Sequence, residues 1–258
     1  AGVAGDTIGN LPAAAGVRDG GSHGGRGGDD TSVAGSPAPT HGDARDPQDL
    51  GDGGSGPSSG ISRGGSGGGR VFLVADDLVV EGSIRADGGL PTGTSQIGMG
   101  AGGTLNLVVG RLDGAGTIEA DGGTTNGGNH AGGGGGRVAI RVAEAMTLPE
   151  SNLSAHAGDG FYGDGGHGSI YLLRPGQTFG DYILDGGGFV NAEDSSEIPV
   201  GVPFDDVILR NGVRVVGGGL LVDGSLRLES NAVLTHAAGD EGCLQVAARA
   251  LVIDATSA

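Results

Sequence analysis

The sequence predicts an all-β fold, a right-handed parallel β-helix or β-solenoid with long glycine-rich, polyproline-II-like loops. Three observations predict it. First, a glycine-punctuated strand motif returns four times: Gly67-Gly-Gly-Arg-Val-Phe-Leu-Val, Gly102-Gly-Thr-Leu-Asn-Leu-Val-Val, Gly134-Gly-Gly-Arg-Val-Ala-Ile-Arg-Val and Gly166-His-Gly-Ser-Ile-Tyr-Leu-Leu. Counted from Gly69, Gly103, Gly136 and Gly168, the steps are 34, 33 and 32 residues, the period of a repeat array in which each copy is one coil. Second, apolar residues alternate in later segments such as Val207-Ile-Leu-Arg and Gly224-Ser-Leu-Arg-Leu, which marks strands with one buried face. Third, no segment of useful length carries a helical period; the best attempt, Val142-Ala-Glu-Ala-Met, is cut off by Pro149.

The elements follow in order. Residues 1–66 are rich in Gly, Asp, Ser, Ala and Pro and hold only isolated apolar positions. They read as a loop segment that either links coils or packs on them, and the second is favoured because similar stretches precede each later strand. Residues 67–203 form the Gly-rich repeat block. Its leading strands are Val71 to Val74, Leu105 to Val109, Val138 to Val142 and Ile170 to Leu173. Shorter companions are expected at Leu78 to Ala86, Gly116 to Ala120, Leu148 to Ala155 and Tyr182 to Leu184. The first two copies also close alike, Gly82-Ser-Ile-Arg-Ala-Asp-Gly-Gly and Gly116-Thr-Ile-Glu-Ala-Asp-Gly-Gly. Residues 204–258 alternate more densely and read as further coils running into a next copy. Asn211-Gly and Asp223-Gly mark hairpin turns or solenoid corners, the corner fitting better.

Glycine supplies 61 of 258 residues, and each costs roughly 0.5–1 kcal/mol of backbone entropy relative to alanine in a regular element. Close backbone approach is the expected compensation. With three Tyr, five Phe and no Trp, the expected core is a narrow one of Val, Leu, Ile and Ala. The formal charge is −17 and every basic residue is Arg. Phosphate recognition needs a basic footprint, so nucleic acid is excluded as a partner and divalent cations are favoured. A GC-rich genome or a saline habitat explains the acidity equally well. No run of eighteen apolar residues predicts a membrane span, and no signal peptide is read at Ala1. The lone Cys243 reads as a small, partly buried side chain.

On Gly-Gly-Gly-Arg-Val-Ala-Ile, Gly-Thr-Ile-Glu-Ala-Asp-Gly-Gly and the tail Leu251-Val-Ile-Asp-Ala-Thr-Ser-Ala, residues 67–258 resemble the Gly-rich β-solenoid repeats of very long secreted or surface-anchored bacterial proteins of adhesin or fibre type. The resemblance implies structural material, with no catalytic residues to carry over.

Two constellations carry metal-ligand chemistry. His156, Asp159, Asp164 and His167 place two imidazoles and two carboxylates on one Gly-flexible loop, either a site for zinc or a similar ion or solvated side chains in a turn. Asp43, Asp46, Asp49 and Asp52 recur every third residue. In a three-per-turn segment they share one edge, which either holds calcium with help from a neighbouring loop or is simply solvated. Adjacent pairs such as Asp76-Asp77 point to opposite strand faces and make no two-carboxylate site. No nucleophile motif or paired cysteines appear.

The expected function is a repeat or subunit of an extracellular or cell-surface filament, not an enzyme, assembling head to tail and stabilised by calcium. The alternatives are a β-helical carbohydrate-acting enzyme and a carbohydrate- or ligand-binding adhesin module. Leu251, Val252 and Ile253 form the expected assembly edge, because no proline or lysine guards them.

Overall fold

The computed structural model describes residues 18–32, 36–56, 63–92, 97–124, 130–188, 197–217, 219–236 and 244–258. Cys243 lies outside them. The strands are β1 (Arg70–Val79), β2 (Ser83–Arg85), β3 (Ile97–Gly98), β4 (Thr104–Asp113), β5 (Thr117–Glu119) and β6 (His130–Ala131). Then come β7 (Arg137–Met146), β8 (Leu153–Ser154), β9 (Ser169–Leu173), β10 (Asp181–Asp185), β11 (Pro203–Phe204) and β12 (Val207–Arg210). The last are β13 (Arg214–Val216), β14 (Gly219–Val222), β15 (Ser225–Glu229), β16 (Val233–Thr235), β17 (Gln245–Ala247) and β18 (Ala250–Ile253). The helical content of the described residues is one 3-10 turn, Glu150–Asn152, and none of their helices is long and apolar enough to cross a membrane.

Eight strands make the main sheet in the order β1-β4-β7-β9-β10-β12-β15-β18. Val71 lies beside Leu105, Leu105 beside Val138 and Val138 beside Ile170, all in parallel pairs, so the 34-, 33- and 32-residue steps are the sheet register. Smaller parallel sheets advance in the same chain order: β2-β5-β8, β3-β6, β11-β14-β17 and β13-β16.

One pair departs from the expected pattern. Tyr182 to Leu184, expected as the short companion of Ile170 to Leu173, instead enters the main sheet as β10, antiparallel to β9, with Tyr182 opposite Tyr171. The connection from Arg174 to Gly180 is too short for a parallel crossover, which needs a dozen residues or more. It closes as a turn, with Gly176 and Gly180 at φ +87° and +73° and three successive N–H groups, Thr178 to Gly180, donating to Asp205 Oδ2 at 2.8–2.9 Å.

This reversal moves the core. Before it, Leu105, Leu107, Val138, Ile140, Ile170 and Leu172 are buried on one face of the sheet. After it, Tyr182, Leu184, Val207, Leu209, Leu226 and Leu228 are buried on the other, alongside Ala139 and Tyr171 of the earlier strands. A crossover of fixed hand lies on the opposite face once strand direction reverses while the sheet keeps advancing.

A second interior has almost no side chains. Residues 131–136 run between the segments 19–22, 25–28, 98–103, 120–123, 155–158 and 163–168, joined to them by backbone hydrogen bonds. Gly134 N donates to Gly21 O at 2.9 Å, Gly25 N to Gly135 O at 2.8 Å, Gly102 N to Gly134 O at 2.9 Å, Gly136 N to Ala120 O at 2.7 Å, Gly158 N to Gly133 O at 2.8 Å and Gly135 N to Gly166 O at 2.9 Å. The approach steps by threes: Gly132 and Gly135 face Gly158 and Ala155, whereas Gly133 and Gly136 face Gly100 and Gly103. That is the stepping of a three-residue-per-turn extended helix, whose amides have no internal partners. A Cβ at any of these four glycines would sit under 3.0 Å from backbone atoms, and none of the four has positive φ. Glycine serves here through its missing side chain.

Candidate assembly edges

The aspartate row does not form a shared edge. The chain bends at 44–46, inside the row, and each carboxylate takes a partner of its own. Asp43 Oδ1 accepts from the N–H groups of Arg45 and Asp46 at 2.7 and 2.9 Å. Asp46 Oδ1 accepts from Asn106 Nδ2 at 2.8 Å and Gln48 Nε2 at 3.0 Å. Asp49 turns toward Gly42, near Arg137 and His23, while Asp52 is buried with its Oδ2 3.3 Å from His41 Nε2. In the other constellation the rings of His156 and His167 meet edge-on at 6.3 Å. His167 Nδ1 accepts from Ala157 N at 3.0 Å, and His156 Nε2 faces Asp185 at 4.0 Å. Asp159 and Asp164 turn to each other, so burial first, then the charge and hydrogen bond of Asp164, raise the Asp159 carboxyl above its ordinary value. Among the described residues no three His, Cys, Asp or Glu side chains gather as a ligand set.

Sequence reasoning missed a buried polar cluster that ties residues 18–32 and 36–52 to the sheet. His23 is fully buried. Its ring lies 4.9 Å from that of His41, and its Nδ1 sits 2.9 Å from Gly102 O, so a neutral ring carries its proton on Nδ1. Arg137 Nε donates to His41 O at 2.9 Å and Nη1 to Ser169 Oγ at 3.0 Å. Burial, then the Arg137 charge and His41, push His23 down to about 3. No pattern announced the cluster, because its members lie far apart in a Gly-rich background.

A second network spans the antiparallel step. Glu150 accepts from Arg174 and from Arg210 Nη1, the latter at 2.7 Å; Arg174 also pairs with Asp181 and Arg210 with Asp185 at 2.6 Å. Burial opposes ionisation of Asp185, yet donors from Asn211, Gly187 and Arg210 hold its carboxyl below the ordinary value. The adjoining cleft of about 500 Å³ is lined by Ser151, His156, Asp185, Arg210 and Asn211 among others, and its charged walls are already paired with one another.

The two outer strands of the main sheet are different. β1 and β18 each lack a neighbour on one side among the described residues. β1 exposes Phe72, Val74 and Val79, and β18 exposes Leu251 (59%), Val252 (47%) and Ile253 (49%). Leu251, Val252 and Ile253 thus lie on the last strand of the main sheet. The adjacent β17 is exposed along its length, and Val200, Leu221 and Val246 line an apolar groove of about 320 Å³ beside it. Ala250 N and Asp254 N donate inward to Gly224 O and Leu228 O at 3.1 and 3.0 Å. By strand alternation the outward donors are therefore Leu251 and Ile253. Such an edge, uncovered, is a template for another strand.

No family model matches this chain, and no curated protein or solved structure does either.

Proposed function

We propose that this chain is a structural repeat or subunit of an extracellular, cell-surface filament, and that it works without catalysis. In this reading the parallel sheets are the faces of right-handed β-solenoid coils, arranged as two blocks sharing one main sheet and switching sides at β9–β10. The filament grows by adding copies end to end. The observation that carries the reading is the pair of open, apolar edges, β1 and β18, at opposite ends of one sheet. Soluble proteins commonly blunt such edges with proline, lysine or a covering loop; β18 has no proline or lysine, and no strand among the described residues pairs with its outer side. A contact between unlike surfaces of identical copies does not close on itself and yields an open filament. The side-chain-free glycine interior supports the same reading: its stability rests on backbone hydrogen bonds between neighbouring segments, a device suited to long, stiff material.

Sedimentation and electron microscopy of the purified chain over a range of concentrations test this. Growth into unbranched filaments with a regular axial repeat is expected. A monomer at every concentration, or a closed dimer, would remove the reading.

A further inference from the structure

This inference rests on the end-to-end reading and names its joint. Within the main sheet, the glycine that opens each parallel strand is pressed by the strand before it. A Cβ on Gly103 would lie under 3.0 Å from the backbone of Gly68 and Gly69, one on Gly136 from that of Gly102 and Gly103, and one on Gly168 from that of Gly135 and Gly136. The β2-β5 step repeats the arrangement, where a Cβ on Gly116 would meet the backbone of Gly82. Gly69 and Gly82 hold the matching positions on the first strands, yet a Cβ on either would meet nothing within 4 Å. Neither has positive φ, so neither needs glycine for its own conformation. At each later parallel step, what makes glycine necessary is a backbone laid against it.

We propose that Gly69 and Gly82 clear a seat for a second copy of this chain, whose β18 edge docks antiparallel against β1. Strand direction sets the polarity. β1, β4, β7 and β9 run one way, and β10, β12, β15 and β18 run the other. Simple translation of one copy onto the next therefore brings β18 against β1 head to tail in antiparallel sense, the same kind of step as β9–β10. That step also restores the fold. The first reversal moves the core from one face of the sheet to the other, and a second reversal at the joint returns it to the face on which β1 packs its half-buried Val71, Leu73 and Ala75. The outward N–H groups of Leu251 and Ile253 supply donors for the new pair.

The test uses two full-length variants, each blocked at one edge. Gly69→Val with Gly82→Val fills the β1 seat, and the open space at both positions predicts a monomer that melts like wild type. Ile253→Pro removes an outward donor from β18 and leaves its bonds to β15 intact; Ile253→Lys serves if the proline variant melts early. Each variant alone is expected to sediment at the monomer mass, and an equimolar mixture at twice that mass and no higher, because one free β18 meets one free β1. If the glycine variant elongates like wild type, the seat is wrong while the filament reading survives. If that variant dimerises alone, β18 pairs with itself and the head-to-tail joint is overturned. If the mixture stays monomeric while wild type elongates, the joint lies elsewhere. Wild type that never associates would instead remove the end-to-end reading itself, and the joint with it.

Discussion

Replacing Gly136 by alanine tests the glycine interior most directly. The new Cβ would fall under 3.0 Å from Gly103 O, from Gly102 C at 2.7 Å and from Ala120 O at 2.9 Å, all of them backbone atoms. No flexible side chain can yield, so two segments must separate. The bonds nearest the insertion are Gly136 N to Ala120 O at 2.7 Å and Arg137 N to Gly103 O at 2.9 Å. Overpacking a tight interior costs about 1–3 kcal/mol, and each lost hydrogen bond adds roughly 0.5–1.5 kcal/mol. Against this, alanine restricts the unfolded chain and returns about 0.4–1 kcal/mol. The net expectation is a loss of about 1–6 kcal/mol, read as a lower urea midpoint with unchanged slope and a melting temperature lower by roughly 2–24 °C. Gly69→Ala is the internal control, since its Cβ meets nothing; it is expected to be neutral or slightly stabilising in the dilute monomer. Equal effects at positions 69 and 136, or an unchanged midpoint for Gly136→Ala, would refute the claim that these glycines are required by close backbone approach.

Acid stability depends on two buried groups of opposite sign. His23 sits at about 3 against an ordinary 6.5, so its contribution is complete above pH 6.5 and is lost as pH falls toward 3, in all on the order of 5 kcal/mol at ~1.4 kcal/mol per pH unit. Asp19, raised to about 6 by burial foremost, works the other way: the fold gains as pH falls from 6 to 3.8. The two slopes oppose each other between pH 6 and 3.8, so Asp19→Asn is expected to expose a continuous fall from pH 6.5 downward, and parallel urea midpoints for variant and wild type across that range would exclude it. Asp205→Ala strips one acceptor from three N–H groups, with an expected cost of about 1–3 kcal/mol and faster hydrogen exchange at 178–180; unchanged exchange there would contradict the turn's dependence on this carboxylate. Glu150→Gln weakens both of its arginine pairs, and because these groups are partly exposed the expected cost is only about 1 kcal/mol, shrinking in 1 M salt; a cost independent of salt would show that packing, not charge, links these residues.

The alignment of β1, β4, β7 and β9 was legible before any coordinates, because a repeat of nearly constant length stacks equivalent residues and the alternating apolar side chains fix which face turns inward. The strand at Leu251 to Ile253 was legible for a similarly local reason: a run of β-branched and apolar residues needs no partner to be recognised. The row Asp43 to Asp52 misled because spacing by threes aligns side chains only while the backbone holds one conformation, and residues 44–46 bend out of it. Tyr182 to Leu184 misled because its apolar alternation suits any sheet, and the turn that sets it antiparallel is held by Asp205, a residue from a later segment.

Sequence alone therefore determined the all-β class, the register of the repeats and an apolar segment at 251–253 free of proline and lysine, since each depends on short-range periodicity and composition. Tertiary structure decided the reversal at β9–β10, the burial of His23 beside Arg137 and the distinction between Gly136, enclosed by neighbouring backbone, and Gly69, open on one side. These depend on which distant segments meet, and a glycine has no side chain through which its own sequence position could record that meeting.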